Sequence, residues 1–203
     1  MLLTMLTYFR SLLRKTYDVM LNLAASPHAI WFLFAVAFAE SSFFPIPPDI
    51  MLIPMILAAP TKAWRIAAIA TTASLLGGYL GYFIGVFAFD MIAKPILQFY
   101  HALDKFRTFE EYYHQYGAWI VFGAGITPFP YKIITIASGV VHLNLTVFTI
   151  ASILARGMRF FVVAWLLQKY GAPMKIFIEK HLGKLSVLFL LLLIGGFALI
   201  KLF

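Results

Sequence analysis

Five ionisable side chains stand inside otherwise apolar stretches of this sequence, and they are the residues best suited to chemistry. Two are acids and three are bases: Glu40, Asp49, Lys132, Arg156 and Arg159. At the centre of a helix in hydrocarbon, each would cost roughly 2.5–3.5 kcal/mol if unpaired. They must therefore pair, face water or become neutral. Together they leave one positive charge in excess, which suits an anionic phosphate group.

The bases and acids allow several roles. Arg156 and Arg159 are three residues apart and share a helix face, so both could contact one anionic headgroup. The alternatives are a closed network of structural ion pairs, or an Arg159 side chain that extends to the membrane interface. Burial disfavours the charged form of a carboxyl group, which makes Glu40 a candidate proton carrier. A buried salt bridge from Glu40 to Arg156 is the structural alternative.

Prolines interrupt the apolar stretches at two places, each next to one of these charges. Pro45, Pro47 and Pro48 lie in the first break, and Pro128 and Pro130 lie in the second. Proline lacks a backbone donor and prevents a continuous helix. At membrane depth, such backbone persists only where protein buries it or water reaches it. The breaks therefore predict a polar cavity lined by the neighbouring charges.

Catalytic and metal-binding patterns do not occur in the sequence. The five histidines are scattered without the spacing of a metal site, and there is no phosphate-binding glycine loop or GxSxG motif. The chain has no cysteine, which excludes disulfides and thiolate sites. We therefore expect a protein that is not an enzyme and that needs neither a cofactor nor a metal.

The composition is that of a membrane protein. Hydrophobic residues make up 63% of the chain and charged residues 12%, whereas soluble domains usually contain about 25% charged residues. The net charge of +8 is attributed to cytoplasmic loops and anionic headgroups, and no nucleic-acid partner is expected. Residues 66–89, 145–167 and 185–203 are long enough to span the bilayer, which takes about 20 helical residues.

Four shorter apolar stretches form two pairs, and each pair contains one break. We expect each pair to form a re-entrant hairpin, over residues 29–60 and 118–141. When the sequences of the two breaks are aligned, prolines match prolines and Asp49 aligns with Lys132. The sequence thus predicts an all-α integral membrane protein. It has two inverted repeats, each a proline-broken re-entrant hairpin followed by a transmembrane helix.

The remaining segments are assigned by periodicity and charge. Residues 1–24 carry the two stripes of an amphipathic helix on the membrane surface, with an ordinary packed helix as the alternative. Residues 96–116 are expected to form an outer interfacial helix, 168–184 a cytoplasmic segment and 185–203 the last transmembrane helix. Lysine and arginine concentrate on the side that holds the N-terminus, which the positive-inside rule places in the cytoplasm.

Three glycines, Gly77, Gly81 and Gly85, recur at every fourth residue of one predicted transmembrane helix. Small residues at this spacing let another backbone approach closely in lipid. We interpret them as a packing face, either within the chain or between two protomers. A homodimer is therefore one of the options.

The chain resembles the DedA family, whose shared region is called the VTT or SNARE-associated domain, and most closely its YqaA-like branch. The resemblance covers roughly residues 25–185. It rests on the segments ESSFFPIPPDIMLIPM, GGYLGYFIG, TPFPYKIITIASG and ARGMRFFVVAWLLQKYG. It implies a multi-pass protein of the bacterial inner membrane with opposed re-entrant helices and a role in membrane homeostasis. Relatives include transporters of undecaprenyl phosphate and other lipid phosphates, and phospholipid scramblases.

The resemblance also carries over to the charged residues. The family's essential acids match Glu40 and Asp49. Its second break usually carries two arginines, but residues 125–127 offer no match to the first, and Lys132 stands near the second. A lysine is a point charge where an arginine is a bidentate fork, so the missing guanidinium would have to come from Arg156 or Arg159.

Three functions follow as alternatives. The favoured one is translocation of a lipid or lipid phosphate, by flipping or scrambling, through a polar mid-membrane cavity with optional coupling to protons. The second is a proton-coupled transporter of small cations or drugs, in which Glu40 and Asp49 bind the solute. The third is a non-transporting membrane scaffold whose charges are structural.

Overall fold

A computed structural model of the protein describes residues 23–44, 46–89, 94–99, 103–127 and 129–171, and the single residues 19, 91 and 173. Within these ranges the chain is all helical, as predicted. Its α-helices are α1 Ala29–Ser42, α2 Asp49–Ala58, α3 Ala63–Ala88, α4 Lys94–Phe99, α5 Leu103–Ile126, α6 Tyr131–Val140 and α7 Leu145–Tyr170. A short 3-10 helix, Pro60–Lys62, leads into α3.

Several predictions concern residues outside these ranges. The amphipathic helix expected over 1–24 has only its last residues and position 19 inside them. The last transmembrane helix at 185–203 and most of the cytoplasmic segment at 168–184 lie outside them. The same is true of Pro45 and Pro128.

Two long apolar helices dominate the bundle. Helices α3 and α7 have 26 residues each, and both are long and apolar enough to cross a membrane. They coincide with the spans predicted near 66–89 and 145–167. The start of α7 is fixed by Asn144, whose side-chain oxygen accepts hydrogen bonds from the backbone N–H groups of Thr146 and Val147. Gly171, with a φ of +64°, ends the helix.

The outer surfaces of these helices are apolar. Large hydrophobic side chains stay exposed along α3, including Leu80, Phe83 and Phe87, and along α7, including Ile150 and Leu154. A soluble protein rarely leaves such a continuous apolar surface open to water. The two helices therefore have the surface of membrane-spanning segments.

The helices stop at both proline clusters. Helix α1 ends at Ser42 and α2 begins at Asp49, with Pro48 as the residue that precedes it. In the same way α5 ends at Ile126, and Pro130 precedes the start of α6. Proline is well tolerated at a helix start because the first N–H groups have no partner within the helix.

One expected boundary differs from the structure. An outer helix over 96–116 and a separate hairpin arm from 118 were predicted, but α5 runs without interruption from Leu103 to Ile126. The sequence changes from mostly polar to mostly apolar near Gly117, and this change suggested a boundary between two segments. In the structure Gly117 lies inside this continuous helix and packs on Leu143, whose side chain would clash with a Cβ atom at this position.

The three spaced glycines bring α3 against two short helices of the same chain. A Cβ atom at Gly77 would overlap the backbone of Phe38 in α1, and one at Gly85 would overlap the backbone of Ile136 in α6. Gly81 lies between these two contacts and is also buried. Of the two packing options, the intramolecular one is therefore observed, and this face is not open to a second protomer.

A polar layer separates two apolar clusters along the long helices. The first cluster includes Ile66 and Ala70 of α3 and Phe160 of α7. The second includes Tyr82 of α3 and Phe148 of α7. Most of the buried polar side chains fall between them: Glu40, Ser41, Ser42, Asp49, Ser74, Thr135, Ser152 and Arg156. Ser138 is also buried but lies beside Tyr113 of the second cluster. This layer is where the charged residues singled out from the sequence converge.

Candidate functional site

The candidate site lies halfway along both long helices. Arg156 stands near the middle of α7, and Ser74 stands near the middle of α3. Glu40 reaches the same level from the last turn of α1. Helices α3 and α7 pack against each other, α1 and α6 pack against α3, and α5 packs against α7. A polar group at this level is far from both ends of the long helices.

Arg156 is the central residue of the site. It is only 1% exposed. Its Nη2 donates to Glu40 Oε2 at 2.7 Å, and its Nε donates to Ser74 Oγ at 2.6 Å. Its Cζ lies 4.9 Å from the ring centre of Tyr131 and 4.7 Å from that of Phe160, so two aromatic faces stabilise the cation. One side chain of α7 thereby contacts α1, α3 and α6.

Hydroxyl groups surround this ion pair. Ser41 Oγ donates to Glu40 Oε2 at 3.2 Å and lies 2.6 Å from Ser74 Oγ. Thr135 Oγ1 donates to the carbonyl oxygen of Ser41 at 2.9 Å, which ties α6 to the end of α1. Across the described ranges, every buried side-chain nitrogen or oxygen has a hydrogen-bond partner. The hydrogen-bonding groups of the polar layer are therefore satisfied.

Arg159 joins the two breaks to each other. Its Nη2 donates to Asp49 Oδ2, at the first residue of α2. Its Nη1 donates at 2.8 Å to the carbonyl oxygen of Thr127, in the second break. The two charged side chains are 11% and 12% exposed, against 1% for Arg156. The arginine of this second ion pair is therefore more exposed than the arginine of the first, whereas the two acids are equally exposed.

Lys132 differs from the other bases. It lies on the first turn of α6 and is half-buried. Its ammonium group makes no ion pair with any residue that the structure describes. The overlay of the breaks had set Asp49 opposite Lys132, yet Asp49 bonds to Arg159. Positions that align in the two breaks need not touch, because Arg159 of α7 bonds to a residue in each break.

The five charges are thus divided into two ion pairs and one extra cation. The salt bridge between Glu40 and Arg156, one of the alternatives drawn from the sequence, is present. Arg159 does not extend to the interface but binds inside the bundle. Arg156 and Arg159 project from the same side of α7 toward different acids. In the described ranges, no group of three or more His, Asp or Glu side chains is placed to hold a metal ion.

Sequence reasoning missed the hydroxyl residues that complete the site. Ser74, Tyr131 and Ser152 were not singled out, yet Tyr131 lies under Arg156 and its hydroxyl donates to Ser152. A signal for two of them was available. Ser74 precedes Gly77 by three residues on one face of α3, and Ser152 precedes Arg156 by four residues on one face of α7.

Comparisons with known proteins find a matching family model and two similar proteins. The family model for the VTT domain matches residues 46–169. An uncharacterized protein of Haemophilus influenzae is 35% identical over 167 residues, which cover 80% of this chain and 86% of that protein. An uncharacterized protein HI0703 homolog of Histophilus somni is 38% identical over 167 residues, covering 80% and 87%. No solved structure matches the chain significantly.

Proposed function

Because this membrane protein belongs to the DedA family, which shares the VTT domain, we propose that it translocates a lipid or lipid phosphate across the bilayer. Undecaprenyl phosphate and phospholipids are the substrates that the family suggests. The observation that carries the proposal is the buried polar layer halfway along two membrane-spanning helices, with Lys132 as a cation in excess. The protein acts as a flippase or scramblase in membrane homeostasis and catalyses no covalent step.

The charge balance favours an anionic headgroup. Two carboxylates are matched by two guanidinium groups, and Lys132 adds one positive charge to the set. A phosphate group that enters the polar layer brings the net charge of the layer toward zero. Charge-assisted hydrogen bonds to guanidinium and ammonium groups then replace its lost hydration. The acyl or prenyl chain remains in lipid, along the exposed apolar faces of α3 and α7.

The same balance of charges favours coupling to protons. When phosphate draws a guanidinium away, the acid that bonded to it loses its partner in a poorly hydrated site. An unpaired buried carboxylate is strongly disfavoured, so Asp49 or Glu40 takes up a proton or moves toward water. Such a step links headgroup movement to proton movement.

The architecture we propose is two inverted repeats with re-entrant helices. Two ten-residue helices, α2 and α6, follow the breaks, and each is followed by a 26-residue helix. A ten-residue helix is about 15 Å long, which is half of a hydrocarbon core of about 30 Å. Each short helix therefore reaches from one surface to mid-membrane. The protein lies in the bacterial inner membrane with its N-terminus in the cytoplasm.

A scaffold without transport is the second candidate. What favours it is that both acids are paired and that every buried polar side-chain atom in the described ranges has a partner. A cation transporter is supported less well. Glu40 and Asp49 are each bonded to a guanidinium group, and a cationic solute would have to displace that group.

Reconstitution into liposomes tests the proposal. Purified protein is inserted into vesicles that carry a fluorescent polyprenyl phosphate or a fluorescent phospholipid, and the label in the outer leaflet is quenched by an impermeant reductant. The proposal expects quenching of the inner-leaflet pool as well. Parallel vesicles with ethidium as a cationic solute are expected to show no uptake. Lipid quenching that stays at the level of protein-free vesicles would favour the scaffold.

A further inference from the structure

The two ion pairs of the polar layer are built differently. The pair between Glu40 and Arg156 is enclosed by Ser74 and two aromatic rings, and its arginine side chain is 1% exposed. A phosphate could reach Arg156 only if α1, α3 and α6 moved apart. The Arg159 side chain is more accessible, at 11% exposure.

Arg159 also binds groups that can be released. Both of its partners belong to the ends of broken helices: the Asp49 carboxylate and the Thr127 carbonyl oxygen. A carboxylate and a phosphate present the same kind of acceptor oxygens to a guanidinium fork. Asp49 therefore occupies Arg159 in the way that a phosphate group would.

We infer that Arg159 is the group that binds the lipid phosphate, and that Asp49 is an internal anion that competes for it when no lipid is bound. This inference rests on the proposed function. Phosphate binding breaks the contact between Asp49 and Arg159 and frees the start of α2 from the second break. Return of Asp49 to Arg159 expels the phosphate, so the acid promotes release and weakens binding.

The inference predicts opposite effects for the two partners. Asp49→Asn removes the competing anion and is expected to tighten phosphate binding by about tenfold, because the free site becomes the major state. Arg159→Gln removes the charge-assisted bonds and is expected to weaken binding by about tenfold or more. The double variant should bind as weakly as Arg159→Gln. Misfolding of Asp49→Asn could lower affinity but would not raise it.

The experiment measures binding of farnesyl phosphate to the purified full-length chain in nanodiscs, with farnesol as the probe that lacks phosphate. Lys169→Gln is the matched control, since Lys169 is also a base of α7 but is exposed and contacts Trp165 and Tyr170. Its affinity should equal that of the wild type. Arg159→Lys keeps the charge and should bind with intermediate affinity, so the test survives if Arg159→Gln does not fold.

The outcomes separate the inference from the proposed function. Tighter binding by Asp49→Asn together with weaker binding by Arg159→Gln supports the inference. If farnesyl phosphate binds the wild type better than farnesol but Asp49→Asn does not tighten binding, the competing role of Asp49 is wrong and the proposed function stands. If farnesyl phosphate binds the wild type no better than farnesol, both fail.

Discussion

Replacing Gly77 with alanine tests the helix packing that positions the site, and Gly78 provides a matched control one residue away. A Cβ atom at Gly77 would overlap the backbone of Phe38, so α1 would have to move. A Cβ atom at Gly78 would meet only side chains, with Phe148 Cζ nearest at 3.4 Å. The two substitutions are chemically identical but differ in what the added methyl group meets.

The magnitude follows from two opposing effects. Replacing glycine with alanine inside a helix contributes roughly 0.8–1.0 kcal/mol of helix propensity at either position. Overpacking costs about 1–3 kcal/mol, and it applies only where the added group has no space. We therefore expect the free energy of unfolding of Gly77→Ala to lie about 1–3 kcal/mol below that of Gly78→Ala.

The assay is thermal unfolding of both variants in the same mild detergent, followed by circular dichroism. Gly78→Ala should melt at or above the wild-type temperature, and Gly77→Ala should melt clearly below Gly78→Ala. Transport should fall in Gly77→Ala as well, because Phe38 and Glu40 lie on the same helix, α1. Equal melting temperatures for the two alanine variants would refute the close approach of α1 to α3.

Two further perturbations address the ion pair and the topology. Glu40→Gln and Arg156→Gln should each destabilise the protein by about 3–5 kcal/mol, since each leaves an uncompensated buried charge. The double variant should be less destabilised than the sum, by about 0.5–3 kcal/mol in chemical denaturation; strict additivity would contradict the pairing. A cysteine at Lys62 should be shielded from an impermeant thiol reagent added outside cells, and one at Arg107 should react. Reaction of both from the same side would contradict the inverted arrangement.

The features that could be predicted from sequence are those that depend on local composition. The lengths and hydropathy of α3 and α7 are properties of continuous segments, and the places where α1 and α5 stop are marked by proline. Each of the five charges could be identified because an ionisable group in an apolar stretch is costly wherever it points. These local signals were sufficient for the all-helical class and for two long apolar helices.

The partners of those residues could not be predicted in the same way. Asp49 bonds to a residue 110 positions later, and the overlay of the breaks indicated Lys132 because it compared positions and not contacts. The same limit applies to Gly77, whose spacing indicates close packing without saying that α1 supplies the neighbour. Helix α5 was divided wrongly because its polarity changes near Gly117, while its backbone hydrogen bonding continues.

The most direct test of the account is lipid-phosphate translocation by Lys132→Gln and Lys132→Arg in reconstituted vesicles. The account predicts that Lys132→Gln folds and inserts normally but loses translocation, because the polar layer loses its excess positive charge. Lys132→Arg should retain most of the activity, since it keeps the charge and adds a guanidinium fork. Full translocation of the polyprenyl phosphate by Lys132→Gln would contradict the account.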